Sequence, residues 1–172
     1  MQRILLVGVP AIGLAGLIFF ITVAVPWLLG RQTPPVPPEP IYFDHSIHVR
    51  LAGIDCAFCH RTATEGRTAG YPDLQQCMFC HIAVAPTHPE VQKVRQAWAQ
   101  QEPIDWIRIH RLPDHVHFVH EAHLRAGFTC ATCHGDVGSM GQVVQVRPLK
   151  MGDCVACHRQ NGAPTDCSIC HY

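Results

Sequence analysis

The sequence predicts a domain that is mostly irregular with short α-helices, joined to one N-terminal transmembrane helix. Three observations support this fold class. Residues 4–29 form a run of 26 residues without a charged side chain. The pentapeptide Cys-x-x-Cys-His occurs five times and uses all ten cysteines. Glycines and prolines recur through the rest of the chain, where they favour loops over long helices or strands.

The apolar run is long enough to cross a bilayer. As a helix it would extend about 39 Å, more than the roughly 30 Å of a hydrocarbon core. A cleaved signal peptide is the alternative, but its apolar region usually spans about 7–15 residues and ends at an A-x-A-like site. We therefore predict a transmembrane anchor over residues 1–31. Residues 32–40 contain five prolines and predict a semi-rigid polyproline linker.

The five pentapeptides, called here the first to fifth sites in chain order, are Cys56–His60, Cys77–His81, Cys130–His134, Cys154–His158 and Cys167–His171. Two thiols three positions apart can both reach the vinyl groups of one haem, while the adjacent histidine lies under its iron. A CxxC pair also serves in zinc sites and in redox dithiols. Zinc, however, would need two pairs per metal and would leave the fifth pair unused.

The sequence therefore predicts five covalently bound haem c groups. The predicted thioether donors are Cys56, Cys59, Cys77, Cys80, Cys130, Cys133, Cys154, Cys157, Cys167 and Cys170. The predicted proximal iron ligands are His60, His81, His134, His158 and His171.

The composition supports a domain built around its cofactors. The 132 residues from 41 to 172 provide about 26 residues per site, too few for an ordinary side-chain core around each. Lys plus Arg equals Asp plus Glu at 13 each, so there is no basic excess for binding nucleic acid. We expect the haems to form most of the interior of the domain, which spans residues 41–172.

Two stretches repeat within this domain: Phe43-Asp-His45-Ser-Ile-His48 and Phe118-Val-His120-Glu-Ala-His123. Each lies seven or eight residues ahead of a site, and a further site follows 21 or 24 residues after that one. The repeat indicates a duplicated two-haem unit with a fifth haem appended. It predicts a two-haem module over 41–86 and a three-haem module over 104–172.

A bridging helix is predicted between the modules, within residues 87–103. Pro89 would occupy its first position and Glu90 its first turn, which are typical of a helix start. His88 is expected to cap the helix. Val91, Val94 and Trp98 would lie on one face, which we expect to pack against the domain.

The F-x-H-x-x-H stretch resembles the distal-histidine element of the class III multihaem cytochromes, the cytochrome c3 and c7 group. Histidines three apart on a helical turn share a side and can reach two different haems. The resemblance covers most of residues 41–134 and implies that four histidines are sixth ligands: His45, His48, His120 and His123. His110 is the first choice for the fifth. Met140 and Met151 follow, because a thioether is a recognised axial ligand, and His115 is a further alternative.

Residues 104–159 are similar to the pentahaem cytochrome c subunit of bacterial alternative complex III. The similar elements are His110-Arg-Leu-Pro-Asp114, Cys133-His134-Gly135-Asp136 and Pro148-Leu-Lys-Met151-Gly152, together with the two histidines after Phe118. The resemblance implies partners that oxidise quinol elsewhere, namely an iron–sulfur protein and integral membrane quinol-binding subunits. It also implies that this chain passes electrons to a monohaem cytochrome c, a blue-copper protein or an oxidase.

The expected function is therefore electron relay within an oxidoreductase complex, without catalysis by this chain alone. The alternative is a stand-alone membrane-anchored quinol dehydrogenase that feeds periplasmic reductases. A nitrite or hydroxylamine reductase needs an open haem and a larger surrounding domain. Because bacteria attach haem c outside the cytoplasm, we expect a single-pass inner-membrane protein with a cytoplasmic N-terminus and a periplasmic haem domain.

Overall fold

The structure, a computed structural model, describes residues 13–28 and 38–172 of a chain that divides into two units, residues 1–35 and 36–172. In the first unit, residues 13–19 are α-helical, followed by a π-helical turn at Phe20–Ala24 and an α-helical turn at Val25–Leu28. No helix within the described residues is long and apolar enough to cross a membrane. The predicted anchor over 1–31 and the linker over 32–40 lie partly outside these residues and remain predictions.

The second unit contains short helices joined by loops. We label its α-helices α1 Cys56–Cys59, α2 Leu74–His81, α3 Pro89–Gln100, α4 His120–Arg125, α5 Cys130–His134, α6 Met151–Gln160 and α7 Cys167–Cys170. A π-helical turn covers Ile47–Leu51, and 3₁₀ turns cover Arg61–Thr64 and Val137–Ser139. The described residues contain no β-strand. The predicted fold class of short helices and irregular chain is confirmed for this unit.

Each Cys-x-x-Cys-His lies wholly or mostly within a short helix. An aspartate precedes two of these helices and stabilises the first turn, because its carboxylate accepts a backbone N–H that has no partner within the helix. The Asp55 carboxylate accepts the Ala57 N–H at 2.8 Å. The Asp73 carboxylate accepts the Gln76 N–H at 2.8 Å. The short helices thereby hold the paired cysteines of a site on successive turns.

Helix α3 lies within the range 87–103 that was predicted for the bridging helix. The His88 ring accepts the Glu90 N–H at 3.3 Å, and Pro89 is the first helical residue. The helix ends at Gln101, whose φ of 56° lies in the left-handed region. Arg95 donates to the backbone carbonyl of His81 at 3.0 Å, so α3 packs beside the second site.

Few side chains are buried in the second unit. Its buried apolar residues are Ile41, Val91 and Val94, and its buried polar residue is Gln76. Trp98, on the same face of α3, is 37% exposed. So small a set cannot offset the entropy of ordering a domain of this length. The residues that the structure describes thus agree with an interior completed by cofactors.

The two F-x-H-x-x-H elements pack reciprocally across the domain. The first element donates the Ser46 N–H to the Met140 carbonyl at 3.1 Å, next to the Val137–Ser139 turn. The second element donates the Glu121 N–H to the Gly66 carbonyl at 3.1 Å, next to the Arg61–Thr64 turn. Each element therefore packs on the loop that follows the first site of the opposite module.

Gly138 lies at one of these two contacts. A Cβ atom built at Gly138 would lie 2.8 Å from Cγ1 of Val49 and 3.4 Å from its Cβ, closer than side chains pack. Glycine thus permits the close approach of the Val137–Ser139 turn to the π-helical turn.

We expect Gly138→Ala to destabilise the haem-loaded protein by about 1–3 kcal/mol, the usual cost of overpacking. Its thermal midpoint should fall, as measured by circular dichroism. Val49→Ala should restore much of that loss in the double variant because it removes the clashing methyl groups. Gly152→Ala is the matched control, since no atom lies within 4 Å of its Cβ. An equal loss for both glycine variants would show that the Val49 contact is not the cause.

Candidate haem sites

The cysteines of the five sites are accessible. Each of the ten cysteines is exposed or partly exposed. Apolar side chains between the paired cysteines are exposed as well: Phe58 by 44%, Phe79 by 57% and Ile169 by 46%. Apolar surface beside two thiols suits a flat, largely apolar macrocycle that is attached through those thiols.

The proximal histidines are oriented by backbone carbonyls. Four of the five place Nδ1 against a carbonyl oxygen: His60 with Gly70 at 2.7 Å, His81 with Val84 at 3.1 Å, His158 with Pro164 at 2.5 Å and His171 with His115 at 2.9 Å. A carbonyl accepts only, so Nδ1 is the protonated nitrogen of each ring. The lone pair of Nε2 is then free to bind a metal ion.

Three histidines of the F-x-H-x-x-H elements show the same arrangement. His48 and His123 place Nδ1 2.8 Å from the carbonyls four residues earlier, those of Asp44 and Val119. His120 places Nδ1 2.7 Å from the carbonyl of Arg67. These imidazoles therefore also leave Nε2 available. The Nδ1 atom of His45 is buried without a hydrogen-bond partner, so His45 departs from the pattern.

Histidines from these two sets face each other in pairs. A metal ion held by two imidazole nitrogens at about 2 Å each keeps the ring centres about 6 Å apart. The ring centres are 6.0 Å apart for His48 and His81, 6.4 Å for His120 and His134, and 6.0 Å for His123 and His158. The residues thus fit an iron with one histidine on either side at the second, third and fourth sites.

His45 lies beside the first site. Burial is the main cause that lowers the pKa of His45 to about 4, and the nearby imidazoles of His60 and His48 contribute to the same shift. Burial likewise lowers the pKa of His134 to about 4, with His110, His120 and His60 adding to the effect. Both imidazoles are therefore neutral at pH 7, the form in which histidine binds metal. The same F-x-H-x-x-H element thus presents one histidine to the first site and one to the second.

The phenylalanine of each element orients both of its histidines, a role that the sequence reasoning missed. Phe43 stacks on His48 with ring centres 4.2 Å apart and meets His45 edge-on at 4.7 Å. Phe118 repeats this arrangement with His123 at 4.4 Å and His120 at 4.8 Å. In both copies of the motif the phenylalanine stands two residues before the first histidine. The repetition of this phenylalanine was the sequence signal that could have indicated its role.

His115, not His110, lies opposite the proximal histidine of the fifth site. The rings of His115 and His171 are 5.5 Å apart and 24° from parallel. The ring of His110 instead meets His134 edge-on at 4.3 Å, and its Nε2 is buried without a hydrogen-bond partner. His134 already faces His120, and these two histidines would occupy both axial positions of one iron. His110 therefore lies next to a pair of histidines that needs no further ligand.

The remaining candidate side chains, His117 and the two methionines, have other surroundings. His117 stacks on Tyr172 with ring centres 4.3 Å apart, and its Nδ1 meets the guanidinium of Arg67. A guanidinium only donates, so the proton of a neutral His117 is on Nε2, the wrong tautomer for binding iron through that atom. Met151 is 70% exposed at the start of α6, and Met140 follows the Val137–Ser139 turn.

Comparison with known proteins finds similarity to multihaem cytochromes. The family model for cytochrome c7 and related cytochrome c matches residues 116–172, the part that contains the third to fifth sites. A curated relative, the multiheme cytochrome c subunit of a menaquinone reductase from Nitratidesulfovibrio vulgaris (strain Hildenborough), is 27% identical over 160 residues. That match covers 77% of this chain and 76% of the relative.

The site motifs, the opposed imidazoles and these matches support a multihaem cytochrome c. Residues 116–172 are similar to cytochrome c7 and related cytochrome c, and the chain as a whole is similar to a multiheme cytochrome c subunit. Haem c supplies an iron that takes up and releases single electrons when it is bound. The chain's own residues would attach it through cysteine thiols and would hold imidazoles in the orientation that iron binding requires.

Proposed function

We propose that this chain is a membrane-anchored pentahaem cytochrome that relays electrons in a quinone-linked membrane complex. The observation that carries the proposal is the pairing of imidazoles at the sites. An iron with a histidine on both faces has no open position for a substrate, and electron transfer is the chemistry that remains. The proposed loading is one haem c at each of the five Cys-x-x-Cys-His motifs.

The proposed complex is alternative complex III or a relative of it. The similarity of residues 104–159 to the pentahaem subunit of that complex supports this assignment. The menaquinone reductase to which the relative belongs, by its name, is a further quinone-linked assembly. The proposed partners are an iron–sulfur protein and integral membrane quinol-binding subunits. A monohaem cytochrome c, a blue-copper protein or an oxidase would be the acceptor.

The relative's name also bears on the direction of electron flow. A menaquinone reductase delivers electrons to a quinone, whereas alternative complex III removes them from a quinol. Relay sites with a closed coordination shell can operate in either direction, because the potentials of the partners at the two ends decide the net flow. We propose outward flow from quinol.

To test the proposed function, the native protein would be purified in a mild detergent with its haem stoichiometry measured. We expect five haems per chain and co-purifying iron–sulfur and membrane subunits. Quinol oxidation should occur with the assembly but not with this chain alone. Quinol oxidation by the isolated chain would instead support the stand-alone quinol dehydrogenase. Faster quinone reduction than quinol oxidation by the assembly would reverse the proposed direction.

The proposed localisation is the bacterial inner membrane, with a cytoplasmic N-terminus and a periplasmic haem domain. The large apolar side chains described between Leu14 and Val23 are at least 50% exposed, as in a segment whose surroundings are lipid. Covalent haem attachment outside the cytoplasm supports the periplasmic placement of the sites.

Removal of residues 1–31, with a cleavable signal supplied, should release a soluble domain that retains all five haems. The measurement is haem absorbance in the soluble and membrane fractions of cells that lack the proposed partner subunits. The full chain in the same cells is the control and should stay in the membrane. A truncated domain that remained in the membrane fraction would contradict the role of the segment as the anchor.

We further propose His115 as the distal ligand at the fifth site, in place of His110. His115→Ala should convert one of five haems to the high-spin state, seen by electron paramagnetic resonance and visible absorption. His115→Met should restore low spin at a higher midpoint potential, since a thioether is a recognised axial ligand.

His110→Ala and His88→Ala are the matched controls and should leave all haems low spin. His88 caps α3 and lies outside the sites. A high-spin haem in His110→Ala but not in His115→Ala would return the role to His110. Low spin in both variants would exclude both histidines and favour Met140 or Met151.

A further inference from the structure

We infer that the five haem sites lie in the spatial order second, first, third, fourth, fifth, which differs from their order along the chain. This inference deepens the proposed function and rests on the proposed loading of all five sites. It follows from four separate contacts between neighbouring sites, each argued from side chains that the structure describes.

The first and third sites are neighbours at the junction of the two modules. The thiols of Cys56 and Cys130 lie within hydrogen-bonding reach of each other. The proximal histidine of the first site, His60, also lies near His134 of the third. The reciprocal packing of the F-x-H-x-x-H elements explains why the first and third sites are close. Each element packs against the loop after the first site of the other module. Arg50, just beyond the first element, forms an ion pair with Asp136 in that loop.

The second site lies on the outer side of the first. The histidines His45 and His48 are three residues apart on one helical turn, and they face the first and second sites respectively. The Gln76 side-chain amide, next to the second site, donates to the carbonyl of Phe58 within the first. The opposite flank of the second site is covered by α3, where Arg95 donates to the carbonyls of His81 and Ile82.

The fourth and fifth sites continue from the third. His120 and His123 on α4 face the third and fourth sites, as His45 and His48 do for the first and second. Cys154 of the fourth site lies near Cys170 of the fifth. The 115–117 loop then holds the end of the chain, because the His117 N–H donates to the Cys170 carbonyl at 2.8 Å.

The order has a consequence for the relay. The rate of electron transfer between two sites falls steeply with the distance between them. Electrons therefore pass between sites that are neighbours in space. The second and fifth sites are the two ends of the series. In this order, the contact between the first and third sites connects the sites of the two modules.

The test uses pairs of high-spin markers in the haem-loaded full-length protein. Replacing a distal histidine with glycine opens one axial position and makes that ferric haem high spin. The variant His45→Gly/His120→Gly marks the first and third sites. The matched variant His48→Gly/His120→Gly marks the second and third. Both remove one histidine from each F-x-H-x-x-H element, so their structural cost is similar.

The readout is the microwave power that half-saturates the high-spin electron paramagnetic resonance signal, compared with the two single variants. We expect it to rise several-fold in the first-and-third pair, because two fast-relaxing neighbours couple. It should stay near the single-variant value in the second-and-third pair. An equal rise in both pairs, or a larger rise in the second-and-third pair, would overturn the proposed order.

If the glycine variants fail to bind haem, a second measurement uses methionine variants. Methionine at the same positions keeps two axial ligands and shifts the midpoint potential of its haem. Neighbouring haems interact electrostatically, so the shifts in His45→Met/His120→Met should be non-additive, while those in His48→Met/His120→Met should add. The reverse result would overturn the order. Both measurements use the purified chain without partners, so they are independent of whether it assembles in a quinone-linked complex.

Discussion

The distance between facing imidazoles is the constraint on which the rest of the domain depends. Pairs with ring centres 6.0–6.4 Å apart leave space for one metal ion between two nitrogens. To keep that spacing, each ring must be fixed in rotation and in tautomer. At His48 and His123, a backbone carbonyl fixes the ring through a hydrogen bond with Nδ1. A stacked phenylalanine fixes the plane of the same ring. Short helices and loops suffice, because each site needs only a few correctly oriented atoms.

The same constraint explains how a domain with so little buried side-chain surface can hold together. Three apolar residues are buried in its described part, and exposed apolar side chains lie between the paired cysteines. Cofactors attached at those cysteines would bury this surface and crosslink two segments of the chain at each iron. Folding would then be coupled to haem attachment, as it is to metal binding in small metal-dependent domains.

The reciprocal packing of the two modules turns a duplicated sequence into one domain. Each F-x-H-x-x-H element contacts the loop after the first site of the other module, so neither module completes its own surroundings. Gly138 permits one of these contacts, because a Cβ there would collide with Val49. A relay benefits from this arrangement, since the junction places sites from the two modules next to each other.

The sequence by itself indicated the class of cofactor and predicted the attachment residues, because Cys-x-x-Cys-His requires only local geometry. It also indicated helix α3 through Pro89 and Glu90, and the pairing role of His45, His48, His120 and His123 through their repeat. Only the tertiary structure decided which sites are neighbours and which histidine faces the fifth. His110 and His115 are five residues apart in a segment without periodic structure, so their partners depend on how the chain folds back onto α5 and α7. Contacts between distant segments, such as Cys56 with Cys130, leave no signal in a single sequence.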